Sequence, residues 1–230
     1  MDNKSAFNVS KYDENVRRVI PFYDEIYNQV FSIIHTYCEN KPISVLDTGC
    51  GTGTFGLKAS NALKLIELVL CDPSEKMLSD VKSKLEGYSA GFVCVGSENL
   101  AFENRFDVVT AIQSHHYFDR ATREKAVLNC FNALKSDGIF IYFENTAPFS
   151  ELGRDIMLKR LEAFELKAGR THEEVKTHSS RYNQEFFPIT IHEHLELLRK
   201  TGFKIAELFW HSYMQSGFYA VKVRTDSANE

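Results

Sequence analysis

The sequence predicts an α/β chain whose mostly parallel sheet carries helices on both faces and closes with an antiparallel hairpin. Three observations predict it. Strand-like and helix-like segments alternate from Ile43 to Asn145, the pattern of crossover-connected parallel strands. Runs such as VVTAI and IFIYF are apolar throughout, as strands covered on both faces are. Near the C-terminus, KIAELFWHS and GFYAVKVR follow one another with only a short turn at Met214–Gly217.

The elements follow in order. DENVRRVIPFYDEIYNQVFSIIHTYC reads as two helical pieces broken at Pro21, with Phe22, Ile26, Val30, Phe31 and Ile34 as an apolar stripe at helical spacing. Strands are expected at Ile43–Asp47, Ile66–Asp72, Gly91–Gly96, Phe106–Gln113 and Gly138–Asn145. Helices are expected at Thr54–Lys64, Ser74–Glu86 and Arg120–Leu134, with room for one turn of helix between Gly96 and Phe106. Residues 146 to 190 hold two charge-rich helical segments and no convincing strand, which reads as a lid inserted into the core. TIHEHLELLRKTGF is an amphipathic helix with Thr190 as cap and Gly202 as stop. The expected organisation is one domain, 1–230: a helical cap over 1–40, a core over 41–145 and 191–225, and the lid over 146–190.

Bulk properties bound the function. The chain has 230 residues, 43% apolar and 25% charged, as an ordinary soluble domain does. A net charge of -4 argues against a strongly electrostatic nucleic-acid surface, though not against a local basic patch. The five cysteines are odd in number, widely spaced and mostly inside apolar runs, as reduced core cysteines are. No apolar run approaches the roughly 20 residues that span a bilayer. The polar N-terminus is unlike a secretory signal. A cytoplasmic protein with no membrane partner is expected, with its oligomeric state open.

The chemistry begins at ISVLDTGCGTGTFGLKASNAL. A strand ends at Asp47, passes Gly49, Gly51 and Gly53, and restarts as a helix, so the backbone can approach a ligand closely. Asp72 ends the next strand, 19 positions beyond Gly53. There a carboxylate reaches the two hydroxyls of a ribose; the plainer alternative is a strand-end acid in a turn before Pro73. Both NAD and S-adenosylmethionine carry an adenosine ribose. The G-x-G-x-G spacing differs from the G-x-G-x-x-G of a pyrophosphate site, and the closing hairpin departs from the repeated dinucleotide-binding halves. Both favour S-adenosylmethionine.

VLDTGCGTG, VLCDPSEKML, FDVVTAIQSHHYFD, LKSDGIFIYFEN and ITIHEHLELLRKTGF, in that order, resemble the class I S-adenosylmethionine-dependent methyltransferases. The resemblance runs from about Tyr12 to Val223 and is weakest over the lid. KYDENVRRVIPFYDEI further resembles a small-molecule and carboxymethyl-tRNA-methyltransferase-like branch. The resemblance implies a Rossmann-like seven-stranded sheet and S-adenosyl-L-methionine as cofactor. It implies that Asp47, Gly49, Cys50 and Gly51 hold the methionyl part and Asp72 the ribose, with Pro73 and Met77 near the adenine. GSENLAF resembles the adenine-edge turn but is one residue shorter, so either Ser97 or Glu98 faces the adenine amine. Gln113 falls under the sulfonium. Tyr12 and Arg17 match the branch's carboxylate contacts, or else simply begin a surface helix.

His115 and His116 follow Gln113. Either is a candidate general base, since imidazole titrates near neutrality, and a hydrogen-bonded strand-end histidine is the plainer reading. A metal site is not expected: there is no HExxH, and His192 and His194 would point nearly opposite ways on their helix. Methyl transfer needs chiefly an in-line acceptor and exclusion of water, so a missing catalytic triad is no objection. Lid candidates for acceptor contact are Phe149, Met157, Phe164, His172, His178, Arg181, Tyr182 and Phe187, with Tyr117 and Phe118 beside the site. The expected activity is methyl transfer to a small-molecule acceptor, with nucleic acid disfavoured as a partner. The alternatives are an RNA-modifying enzyme of the wobble-uridine type, favoured by a stripe from Arg17, Arg18, Lys159, Arg160 and Arg181, and a non-catalytic adenosylmethionine-binding protein. An NAD oxidoreductase is disfavoured by the glycine spacing.

Overall fold

The computed structural model describes residues 15–224. A short 3-10 turn (Val16–Arg18) and helix α1 (Tyr23–Cys38) precede the sheet, separated at Pro21 as the missing proline N–H dictates. Then come β1 (Ile43–Thr48), α2 (Thr54–Ala62), β2 (Leu65–Cys71), α3 (Glu75–Lys84), β3 (Gly91–Val93), β4 (Phe106–Ile112), α4 (Arg120–Ala133) and β5 (Leu134–Ala147). Helices α5 (Glu151–Lys167) and α6 (His172–Ser180) follow, then β6 (Ile189–Thr190), α7 (Ile191–Thr201), β7 (Ile205–Ser212) and β8 (Gln215–Lys222).

The sheet runs β3-β2-β1-β4-β5-β8-β7, with β6 pairing to β5 off this path. Neighbours from β3 to β5 are parallel, whereas β8 is antiparallel to both β5 and β7. This is the seven-strand expectation plus one two-residue strand too short to leave a period in the sequence. The chain leaves β1 toward β2 on one side and returns to β4 on the other. That reversal opens a crevice at the C-terminal strand ends, where open α/β sheets bind ligands.

Both faces are covered. Side chains alternate along each strand: Val45, Leu68, Leu70 and Val108 pack under α1, α2 and α3. Leu46, Val69, Val109 and Phe140 pack under α4 and α7. Five residues of α1 are buried (Tyr23, Ile26, Tyr27, Val30 and Ile34), on the face the helical stripe marks; Phe22, placed in it from the sequence, is exposed. Thr190 and Glu193 form a reciprocal capping box on α7, and Gly202 ends it at φ 120.

Three boundaries differ from expectation, the first being the hairpin turn: read at Met214–Gly217, it is Tyr213–Met214, because Gln215, Ser216 and Gly217 already pair with β7. β3 stops at Val93 because the next residues turn into a 3-10 segment at Ser97–Asn99. β5 begins at Leu134, not Gly138: α4 gives way directly to extended backbone, and the pairing register with β4 shifts between Phe106 and Val108. No helix among the described residues is long and apolar enough to cross a membrane.

Candidate functional site

Gly49, Gly51 and Gly53 take φ of 66, 52 and 78, the left-handed region that favours glycine. Two of them are also held by close packing. A Cβ on Gly49 would lie 2.5 Å from Ser114 Cβ, and one on Gly53 would lie 2.8 Å from a Val81 methyl. At Gly51 a Cβ would meet nothing within 4 Å, so this flank of the turn is open. Cys50 N–H donates to the Cys71 carbonyl at 3.0 Å, fastening the turn to the end of β2.

Two acids bracket this turn. Asp47 is buried, and its Oδ1 accepts from the Thr110 hydroxyl at 2.7 Å. Burial pushes its carboxyl up to about 7; the Thr110 hydrogen bond opposes the shift, and the nearby Asp72 charge adds to it. Asp72 Oδ2 accepts from Gly51 N–H and Oδ1 from Ser74 N–H, both at 2.9 Å. Burial raises Asp72 as well, against those two backbone donors. Asp72 therefore clamps the glycine turn to the start of α3, and each of its oxygens keeps a lone pair for a further donor. Pro73 is exposed beside it and Met77 is buried one turn into α3. Ser97 is buried with its carbonyl bound by Asn129, and Glu98 is partly exposed on the same turn.

A chamber opens next to the turn. Its floor is Gln113, His116 and Tyr117, from the segment after β4. Ser114, in the same segment, packs on Gly49, so floor and glycine turn touch. Gln113 itself bends the chain at φ 56, and Ser114, His115 and His116 then form a tight turn around Glu144. Glu144 is fully buried in β5. Its Oε1 accepts from the backbone of Ser114 (3.1 Å) and His115 (2.8 Å); its Oε2 accepts from His116 N–H (2.9 Å) and His116 Nδ1 (2.7 Å). Burial alone would raise this carboxyl, but His116 and the backbone donors outweigh it and hold it below its usual range.

The side of the chamber is Asn145, Met214 and Gln215 at the ends of β5 and the hairpin. Gln113 donates to Gln215, which donates to Asn145, a chain of three amides. The roof comes from Leu158 and Leu161 of α5 and from His178, Ser179, Arg181 and Tyr182 around the end of α6. Phe187 N–H donates to the His116 carbonyl at 2.7 Å, which ties roof to floor.

Sequence-expected residues fall into three groups. Asp47 lies in β1 and Asp72 just after β2; Gly49, Cys50 and Gly51 form the turn after β1, Pro73 and Met77 lie at the start of α3, Ser97 and Glu98 on the 3-10 turn after β3, and Gln113 just after β4 in the chamber floor. Arg17 does not join them: its guanidinium makes two bonds to Asp24, at 2.7 and 2.8 Å, on the outer surface. Tyr12 lies outside the described residues. His115 is also a correction. It is sealed between Phe118, Phe140 and Tyr142 on the α4 side of the sheet, and burial lowers its pKa to about 4, so it neither meets the chamber nor protonates near neutrality. Among the lid candidates, His178, Arg181 and Tyr182 reach the chamber, while Phe149 is 75% exposed and Phe186, not Phe187, is the buried ring. Sequence reading missed Glu144, whose signal was an acid inside the apolar run IFIYFEN; such a residue needs buried partners.

Fold, glycine turn and strand-end acid together define the class: the chain has the class I S-adenosylmethionine-dependent methyltransferase fold. Residues 45–138 match the family model described as a methyltransferase domain. A solved magnesium protoporphyrin IX methyltransferase from Synechocystis, with bound SAH, superimposes with a TM-score of 0.66 at 16% identity, over 90% of this chain and 86% of that one. A putative S-adenosyl-L-methionine-dependent methyltransferase from Methanococcus maripaludis gives 0.67 at 13% identity, over 98% and 96%. Among curated proteins, the carboxy-S-adenosyl-L-methionine synthase of Nautilia profundicola is 24% identical over 89% of this chain and 88% of its own. That of Staphylococcus epidermidis is 26% identical over 95% and 96%.

Proposed function

We propose that the protein binds S-adenosyl-L-methionine in the crevice and transfers its methyl group to a small molecule held in the adjoining chamber. The observation that carries this reading is the packing of Ser114, next to Gln113 of the chamber floor, on Gly49 of the glycine turn. The residues fit the ligand. The open flank of Gly51 leaves room for it, Asp72 retains lone pairs for the two ribose hydroxyls, and buried Asp47 suits the methionyl ammonium. When bound, the ligand supplies a methyl carbon made electrophilic by a sulfonium. The chain's task is then to orient the acceptor, exclude water and take up a proton.

A chamber roofed by α5 and α6 suits a small acceptor. The arginines of the supposed basic stripe are engaged locally, which weighs against an RNA substrate: Arg17 with Asp24, Arg18 on the Ala168 and Gly169 carbonyls, Arg160 over the Tyr213 ring.

A second reading is that S-adenosyl-L-methionine is itself the molecule modified, gaining a carboxyl group. It rests on the names of the curated relatives, and the buried Arg181 in the chamber wall is compatible with a carboxylate there. Mass spectrometry of S-adenosyl-L-methionine incubated with the protein and a small-molecule cell extract separates the two. Formation of S-adenosylhomocysteine supports methyl transfer. A product heavier than the starting compound by one CO2 supports the second reading, and recovery of unchanged ligand contradicts both.

A further inference from the structure

The chamber holds a second histidine–carboxylate pair that mirrors the first. On the floor, His116 Nδ1 lies 2.7 Å from Glu144 Oε2. On the roof, His178 Nδ1 lies 2.6 Å from Glu165 Oε1. Both acids are buried almost completely, Glu144 at 0% and Glu165 at 1% exposure, in a chain whose other acids lie mostly at the surface. Each carboxylate is fixed by further partners: Glu144 by three backbone N–H groups, Glu165 by Arg170. Both imidazoles line the same chamber, and both flank one ring, Phe186, with centroids 6.2 Å and 6.1 Å away.

The chemistry of such a pair is restricted. A carboxylate oxygen only accepts, so in the neutral ring the hydrogen sits on Nδ1 and Nε2 is left as a bare acceptor. A buried partner carboxylate also fixes the orientation of the ring, as in other histidine–carboxylate arrangements. Both rings line the chamber, one from its floor and one from its roof.

We propose that this double arrangement selects an acceptor carrying two hydrogen-bond donors, such as a diol, an amino alcohol or a dihydroxylated ring, with His116 as the general base and His178 as the group that orients it. This rests on the methyl-transfer reading above. At the reacting group, the X–H bond breaks and its proton passes to His116 Nε2. The freed pair on X bonds to the methyl carbon, and the carbon–sulfur pair stays on sulfur, leaving neutral S-adenosylhomocysteine. The second donor binds His178 Nε2 and sets the first in line. Glu144 and Glu165 touch no substrate; they are positioning residues, acting through the tautomers that they hold.

Nitrogen-15 NMR of the histidine rings, in the full chain with S-adenosylhomocysteine added, tests the geometry without any acceptor. Both His116 and His178 are expected to show a protonated Nδ1 and a bare Nε2; a protonated Nε2 on either neutral ring would overturn the proposal. Glu165→Gln is expected to disturb the His178 signals alone, and Glu144→Gln those of His116. Where Glu144→Gln fails to fold, His116→Gln replaces it, since its amide can still donate to Glu144. Turnover in the small-molecule extract then assigns the roles. His116→Gln should lower kcat on the order of 100-fold, as loss of a general base does, with S-adenosylhomocysteine affinity unchanged. His178→Gln should act mainly through KM for the acceptor. A His116→Gln variant with wild-type kcat would overturn the base assignment. Wild-type protein that forms no S-adenosylhomocysteine would instead remove the methyl-transfer reading, whatever the tautomers prove to be.

Discussion

The two halves of the site are built by different means. The glycine turn is held through its backbone groups: left-handed residues, the Cys50–Cys71 hydrogen bond, and the Gly51 and Ser74 N–H groups that one carboxylate, Asp72, clamps together. The chamber is held by side chains reaching across elements, through buried acids at Glu144 and Glu165, an amide chain and aromatic contacts around Phe186. Backbone devices need particular residue types at particular spacings. Side-chain networks need only that distant partners meet. The first kind can recur with the fold while the second varies with the acceptor.

Perturbing the turn should have the larger effect. Gly49→Val combines left-handed strain with a collision against Ser114. A loss of about 3 kcal/mol in stability is expected by urea unfolding, together with loss of S-adenosylhomocysteine binding. Stability within 1 kcal/mol of wild type would show that the turn is less constrained than its packing implies.

Asp72→Ala removes the clamp and the proposed ribose acceptor. Calorimetry should find S-adenosylhomocysteine bound roughly 30- to 100-fold more weakly, the magnitude of one or two hydrogen bonds to a charged group. Undiminished affinity would leave Asp72 as a purely structural acid.

Asp47 offers a pH-dependent test. Its folded pKa, raised to about 7, means that the folded protein holds a proton the unfolded chain has released above pH 4. Its contribution to stability therefore falls as pH rises from about 4 to 7, and Asp47→Asn should remove that decline in thermal melts. An approaching ammonium favours the charged carboxylate. Binding of S-adenosylhomocysteine at pH 7 should thus release roughly half a proton, measurable by calorimetry in buffers of different ionisation enthalpy. Asp47→Asn should abolish the release.

The outer face of the inserted helices should matter least. Leu152 on α5 is 71% exposed, and Leu152→Ser is expected to shift stability by under about 0.5 kcal/mol with turnover unchanged. A large loss would mean that this face is covered in solution.

The same contrast explains what the sequence made legible. The alternation of strands and helices, the turn, the capped α7 and the closing hairpin all leave local periods or residue signatures, and each is present, with boundaries moved at β3, β5 and the hairpin turn. β6 left none, being two residues long. Glu144 and Glu165 show why the chamber stayed hidden. Glu144 stood out against its apolar neighbours, yet nothing local named His116 as its partner. Glu165, in LEAFELK, looks like any solvated helix charge until Arg170 and His178 close over it. Arg17 is a local match of the opposite kind: among the described residues its guanidinium pairs with Asp24 on the surface.

The most direct test of the account is titration of the full chain with S-adenosylhomocysteine and with NAD, in parallel with Asp72→Ala. S-adenosylhomocysteine should bind saturably and more weakly after the substitution, with no comparable binding of NAD. Tight binding of NAD without binding of S-adenosylhomocysteine would contradict it.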